Sequence, residues 1–282
     1  MALARAKKVA IGHFNISNIE MMWGVFGAAK ELGVPVIIGV SEGERAFIGV
    51  KQSVALIKSL REEYDFPVYI NADHTYSFDK VKEAIDAGFD SAIFDATEMS
   101  FEDNMKVTKQ CFSYARSVNP EIIIEAELGF IGKSSKVLDG IPTGVKISEE
   151  FLTKPEDALL FVKETGIDML APAVGNIHGM LRGGVDPALN IKRIKEISEK
   201  VKIPLVLHGG SGNSAEDISA AISSGVEIVH ISTELRVAYR KALVLSLQEN
   251  PEEVAPYKYL KDSIKAVEKV VLEKLKIVNG IK

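Results

Sequence analysis

The sequence predicts an α/β protein, a single (β/α)8 barrel (TIM barrel) with extra C-terminal helices. Three observations predict it. Short apolar runs and longer amphipathic stretches alternate eight times along 282 residues, the pattern of repeated βα units. The runs are apolar without alternation, as strands covered on both faces are. Glycine stands just before several of them (Gly33, Gly88, Gly166, Gly225), at the position that commonly ends a helix. No linker, low-complexity tract or composition shift divides the chain. Residues 1–282 are therefore expected to form one barrel domain, with a helical extension over about 251–282.

In order, a strand at 8–11 precedes a helix at 19–32, and a strand at 35–40 precedes a helix from about 45 to 63. The third unit is 67–70 with a helix over 77–88, and the fourth is 90–95 with 101–118. The fifth strand, 121–128, is followed by a long insertion, 129–154, before its helix at 155–165. Units six to eight pair 168–172 with 187–200, 204–207 with 214–224, and 226–231 with 233–248.

Composition narrows the function. With 46% hydrophobic and 26% charged residues, the chain is ordinary globular protein. A net charge of -5 without a basic stripe argues against a nucleic-acid partner. The single cysteine, Cys111, can form neither an internal disulfide nor a cysteine-based zinc site. No apolar run approaches the roughly 18 residues of a membrane span, and the start lacks a signal-peptide pattern. The expectation is no membrane partner and a cytoplasmic location.

In a barrel, catalytic groups sit just past the C-terminal ends of the strands. Asp73 and His74 follow strand three, where a turn would let neighbours serve one site. Asp95 ends strand four; Glu125 and Glu127, two apart on strand five, share a face. His178 follows strand six, His208 follows strand seven, and His230 lies late in strand eight. Alone, Asp73-His74 reads as an Asx-type turn with a solvated histidine. Three rim histidines (His74, His178, His208) without competing cysteines instead suggest a Zn²⁺ site with an open fourth position, the mark of a catalytic metal. The run His208-Gly209-Gly210-Ser211-Gly212, with Ser232-Thr233 opening the last barrel helix, suggests a phosphate cradle rather than a plain turn.

These residues resemble the class II (metal-dependent) fructose-bisphosphate aldolase family, including the tagatose-bisphosphate aldolases. The resemblance runs nearly end to end, through Phe14-Asn15, Val40-Ser41-Glu42-Gly43, Asp73-His74, Glu125-Ala-Glu127-Leu-Gly129, His178-Gly179, His208 to Gly212 and Thr233-Glu-Leu-Arg236. It implies a lyase of glycolysis and gluconeogenesis that cleaves fructose 1,6-bisphosphate to dihydroxyacetone phosphate and glyceraldehyde 3-phosphate. It implies one catalytic Zn²⁺ on His74, His178 and His208, with Glu127 able to ligate a displaced or second divalent ion. Asp73 is implied as the acid/base on the C4 oxygen. Asn15, Ser41, Gly179, Arg182, Gly209, Gly210, Ser211, His230, Ser232 and Thr233 are implied substrate contacts. Arg182 stands where the family often has lysine, and a monovalent cation near the cradle fits the pattern. A homodimer or homotetramer is implied by resemblance alone.

The chain also departs from the family. The loop after strand five lacks the usual Glu that moves the dihydroxyacetone phosphate proton; Ser134 and Ser135 stand near it, and Asp139 is the expected substitute. His230 replaces a substrate-touching Asn, and Gly39 replaces a common Gln. His13 on strand one is expected to meet His230, as part of a remodelled pocket or as a packed pair. The two bisphosphates differ only at C4, which sequence leaves open. An aldolase for another ketose phosphate, a metal-dependent sugar-phosphate isomerase or epimerase, and a non-catalytic phosphate-binding barrel are the competing readings.

Overall fold

The computed structural model describes residues 2–133, 135–183 and 186–281. A short helix α1 (Ala2–Lys7) leads into β1 (Ile11–Asn15), α2 (Ile19–Leu32) and β2 (Val36–Val40). Then follow α3 (Glu42–Ile48), α4 (Val50–Tyr64), β3 (Val68–Thr75), α5 (Phe78–Ala87), β4 (Ser91–Phe94) and α6 (Phe101–Val118). β5 (Ile123–Leu128) and β6 (Val137–Leu138) precede α7 (Pro155–Thr165), β7 (Met169–Pro172) and β8 (Met180–Leu181). The chain closes with α8 (Ile191–Val201), β9 (Leu205–Leu207), α9 (Ala215–Ser223), β10 (Val226–Ile231), α10 (Thr233–Glu249), α11 (Pro256–Tyr259) and α12 (Lys261–Asn279).

Eight parallel strands close in the order β1-β10-β9-β7-β5-β4-β3-β2, the TIM-barrel arrangement. The remaining two strands, β6 and β8, pair with each other and tie the loop after β5 to the loop after β7. Local sequence explains most helix limits. The side chains of Asn18, Ser77, Ser100 and Ser214 accept from the backbone N–H three residues on, at the starts of α2, α5, α6 and α9.

Along β1, β2, β5 and β10, alternate residues face the barrel interior. At its lower end Met169, Ala171, Val206 and Ile228 pack with Ile11, Ile37 and Ile123. Two positions further along, the interior turns polar: His13, Asn71, Glu125, His208 and His230 are all buried. The strands are thus apolar plugs below and chemistry above.

Three expectations need correction. The first strand lies at Ile11–Asn15, three residues later than 8–11, because residues up to Lys7 form α1; His13 therefore sits mid-strand. The helix expected from 45 to 63 is two helices, parted at Gly49. And α10 does not cover the barrel as a regular eighth helix, burying only Thr233, Leu235 and Ser246. Instead α12 buries Val267, Val271, Leu275 and Val278, packing on α2, α10 and β1. Among the described residues, no helix is long and apolar enough to cross a membrane.

Candidate active site

β3 organises the site. Asp73 and His74 lie within the strand, not past its end, yet both serve the interior because the strand is irregular there. Its pairing with β4 slips between Ala72 and Thr75, and His74 takes φ +89. A regular strand would send neighbours to opposite faces; the bulge sends them to one site. Positive φ strains a non-glycine residue, and a buried arginine holds the strain in place. Arg45 donates to Asp73 O (3.0 Å), Val40 O (2.6 Å) and Thr75 Oγ1 (2.9 Å).

His74, His178, His208 and Glu127 bring one ligand atom each within 4.8 Å of one another. Carboxylates outside the cluster orient two of the rings. Asp95 Oδ2 lies 3.0 Å from His74 Nδ1, and Glu125 Oε1 lies 2.8 Å from His208 Nε2. A carboxylate takes the N–H of such a ring and leaves the other nitrogen a free lone pair. Accordingly His208 Nδ1, His178 Nε2 and Glu127 Oε2 are buried with no hydrogen-bond partner. Orphaned lone pairs converging in a buried site fit a divalent cation.

The electrostatics agree. Burial would lower the His74 pKa, but Asp73, Asp95 and Glu127 outweigh it and raise it to about 9. Burial likewise opposes the charge on His208, yet Glu125 and Glu127 hold its pKa well above normal. Burial pushes against ionised Glu127, while His178 and His208 keep its pKa far below the usual carboxylate range. Without metal the cluster holds protons where a cation would sit.

A model of the family described as fructose-bisphosphate aldolase class-II matches residues 1–281. The chain belongs to the class II fructose-bisphosphate aldolase family. It is 38% identical over 272 residues to the fructose-bisphosphate aldolase of Geobacillus stearothermophilus, covering 95% of this chain and 91% of that one. To the Staphylococcus aureus (strain Mu50) fructose-bisphosphate aldolase it is 37% identical over 278 residues, covering 97% and 93%. The crystal structure of the YdjI aldolase from Escherichia coli K12 superposes with a TM-score of 0.81 at 33% identity, covering 98% and 94%. Class II aldolases are zinc-dependent lyases, so the cluster belongs to a family that uses a divalent metal.

In this aldolase, Asp73 is buried beside the cluster. Oδ2 accepts from Asn15 Nδ2 (2.7 Å), while Oδ1 has no partner and lies 3.7 Å from His74 Nε2. Burial would raise its pKa, but His74, His230 and His13 hold it well below normal, so it is a ready carboxylate. A cavity of about 270 Å³ opens over it, bordered by Asn15, Ser41, His178 and His230. Gly179, Gly209, Ser211, Ser232 and Thr233 line the same cavity. Ser211 Oγ accepts from Ser232 N (3.3 Å) and Glu234 N (3.4 Å), joining the loops after β9 and β10. At Gly209 a Cβ would lie 1.9 Å from Ile177 O, so only glycine lets the loop after β9 cross the loop after β7.

Three expected contacts fall elsewhere. The Gly210 N–H is spent on His230 O (2.9 Å), so this residue shapes the loop and leaves no donor for a phosphate. Asp139 and Arg182 pair with each other (2.6 Å) on the exposed β6–β8 ribbon, outside the cavity lining. Exposed charges find each other there because the ribbon puts Leu138 and Leu181 in register. Ser134 lies outside the described residues; Ser135 lines the cavity.

Sequence reasoning missed several groups. Lys133, Lys136, Tyr76 and Arg236 also line the cavity. Buried Glu44 accepts from Asn15 Nδ2, Ser17 Oγ, Ser41 N and Arg236 Nη2, binding the ends of β1 and β2 to α10. The sequence signal that could have marked it is the Ser41-x-x-Glu44 spacing of a capping box at the start of α3.

Proposed function

We propose that this chain reversibly cleaves fructose 1,6-bisphosphate into dihydroxyacetone phosphate and glyceraldehyde 3-phosphate. The observation that carries the reading is Asp73 Oδ1, a buried carboxylate oxygen without a partner, at the edge of a three-histidine cluster with free lone pairs. His74, His178 and His208 would hold a zinc ion, with Glu127 in reach of a displaced one. Bound there, zinc would supply Lewis acidity towards the carbonyl and the developing enediolate.

The chain's own groups do the rest. Asp73 takes the C4 hydroxyl proton in cleavage and returns it in condensation. Asn15 anchors the other Asp73 oxygen, so the free one stays aimed at the cavity. Gly179, Gly209, Ser211, Ser232 and Thr233 hold the dihydroxyacetone phosphate end, at the α10 N-terminus where backbone dipoles favour an anion. Lys133 and Lys136 bring positive charge to the cavity wall from the loop after β5, favouring a substrate with a second anionic end. A monovalent cation beside the phosphate, a homodimer or homotetramer and a cytoplasmic setting complete the proposal.

The test is triose phosphate release from fructose and tagatose 1,6-bisphosphates, before and after chelation and after zinc return. Chelator-sensitive release that zinc restores supports the reading, and the ratio of the two rates ranks the sugars. Conversion of either sugar without triose release would instead identify an isomerase or epimerase.

A further inference from the structure

Gly39, His13 and His230 stand on the adjacent strands β2, β1 and β10 and fit together as one unit. His13 and His230 are direct cross-strand neighbours. Their imidazoles stack 3.5 Å apart between centroids and 4° from parallel. His208 stacks on His230 in turn, at 4.2 Å and 20°. Against the His13 ring stands Gly39, where a Cβ would lie 2.1 Å from Cε1. No side chain can occupy position 39 while His13 keeps its place. His13 is fully buried and neither of its ring nitrogens has a hydrogen-bond partner. A buried polar ring left unpaired is costly, so packing holds it there.

The other end of the stack touches the chemistry. His230 Nδ1 lies 3.4 Å from Asp73 Oδ1, the oxygen that Asn15 leaves free. The contact lacks hydrogen-bond geometry, so Oδ1 stays free; facing a carboxylate, which can only accept, His230 favours the Nδ1–H tautomer. A metal ion shared by His13 and His230 does not account for the pair. In parallel rings the lone pairs run side by side, and an ion between them would sit far out of both ring planes.

We propose that His13 is a positioning residue: filling the slot that Gly39 leaves open, it clamps the His230 imidazole against His208 and so aims the free oxygen of Asp73. The proposal rests on the aldolase reading only for what Asp73 does; the clamp itself is a matter of packing.

The test uses the zinc-loaded enzyme and three variants: His13→Ala, His13→Phe, and His13→Ala with Gly39→Gln. His13→Ala is expected to lower kcat about tenfold through misplacement of the carboxylate, with KM and bound zinc little changed. His13→Phe, which keeps a ring in the slot, is expected to recover to within about threefold of wild type. The double variant fills the slot from β2 and is expected to exceed His13→Ala. In parallel, ¹⁵N NMR of the imidazoles should find His230 as the Nδ1–H tautomer in the wild type and a mixture in His13→Ala. Wild-type kcat with an unchanged His230 signal in His13→Ala would overturn the clamp. So would a His13→Phe enzyme as impaired as His13→Ala, since the nitrogens and not the ring would then matter. Should His13→Ala fail to fold, His13→Phe and the wild-type tautomer decide. If the wild type releases no triose phosphate, the aldolase reading fails, while the NMR comparison still judges the clamp.

Discussion

In the proposed reaction Asp73 takes the C4 hydroxyl proton, and Asn15 holds its other oxygen so that Oδ1 stays free. Asp73→Asn keeps its size but removes the base. Cleavage is expected to fall roughly 10²- to 10⁴-fold, with bound metal unchanged by metal analysis. Glu125→Gln acts differently, because Glu125 fixes which His208 nitrogen is a lone pair. Metal affinity is expected to drop roughly 10- to 100-fold, read by competition with a chelating dye. The three histidines were legible in sequence because histidine is scarce here and each lies at or just past the C-terminal end of a strand. Glu44 and Arg45 were not. They read as the solvated start of a helix, and they are buried only because partners as distant in sequence as Asn15, Thr75 and Arg236 surround them. Cys111, whose thiol is pushed up to about 12 by burial, is expected to resist thiol reagents at pH 8 in the folded enzyme and to react once it is unfolded in urea.

Among the elements, β3 and α12 depart most from a regular repeat. The β3 bulge is held by Arg45, whose guanidinium satisfies the Asp73 carbonyl at the irregularity and the Val40 carbonyl at the end of β2. Arg45→Ala strands them, and a loss on the order of 2–3 kcal/mol is expected from buried acceptors left unpaired. Urea unfolding measures it, and a loss within error of zero would show that the bulge holds by itself. The α12 helix replaces α10 as the cover of β1 for a readable reason. Its apolar residues Val267, Val271, Leu275 and Val278 recur every three or four positions and are buried, whereas Val237, Val244, Leu245 and Leu247 of α10 are left exposed. The periodicity was present in the sequence; that it covers the start of the barrel was not, because that contact joins segments some 260 residues apart.

At the scale of the whole molecule, metal and protons compete for one buried cluster. In the metal-free protein, burial works against a charged His74, and Asp73, Asp95 and Glu127 overcome it, raising its pKa to about 9. A raised folded-state value means that this group's stabilisation is complete below its ordinary 6.5 and is lost as pH climbs to 9. Metal must displace that proton, so affinity should strengthen with pH over the same window and level off above it. Melting with and without zinc at pH 6, 7.5 and 9 measures this. The expected result is a zinc-induced rise in Tm that grows with pH; a rise that shrinks would contradict the arrangement of charges.

The sequence by itself determined the barrel, which follows from its periodicity, and marked the histidines and carboxylates late in the strands that the fold gathers into one cluster. Tertiary structure alone decided how they are used. Whether Asp73 and His74 can share a site depends on a backbone irregularity that no local propensity encodes. Whether Asp139 and Arg182 reach the substrate depends on the path of a ribbon between two loops. That His13 stacks on His230 over the space Gly39 leaves depends on the barrel closing β10 onto β1. Closure brings the first and last strands together, and contacts made only on closure leave no local pattern to read.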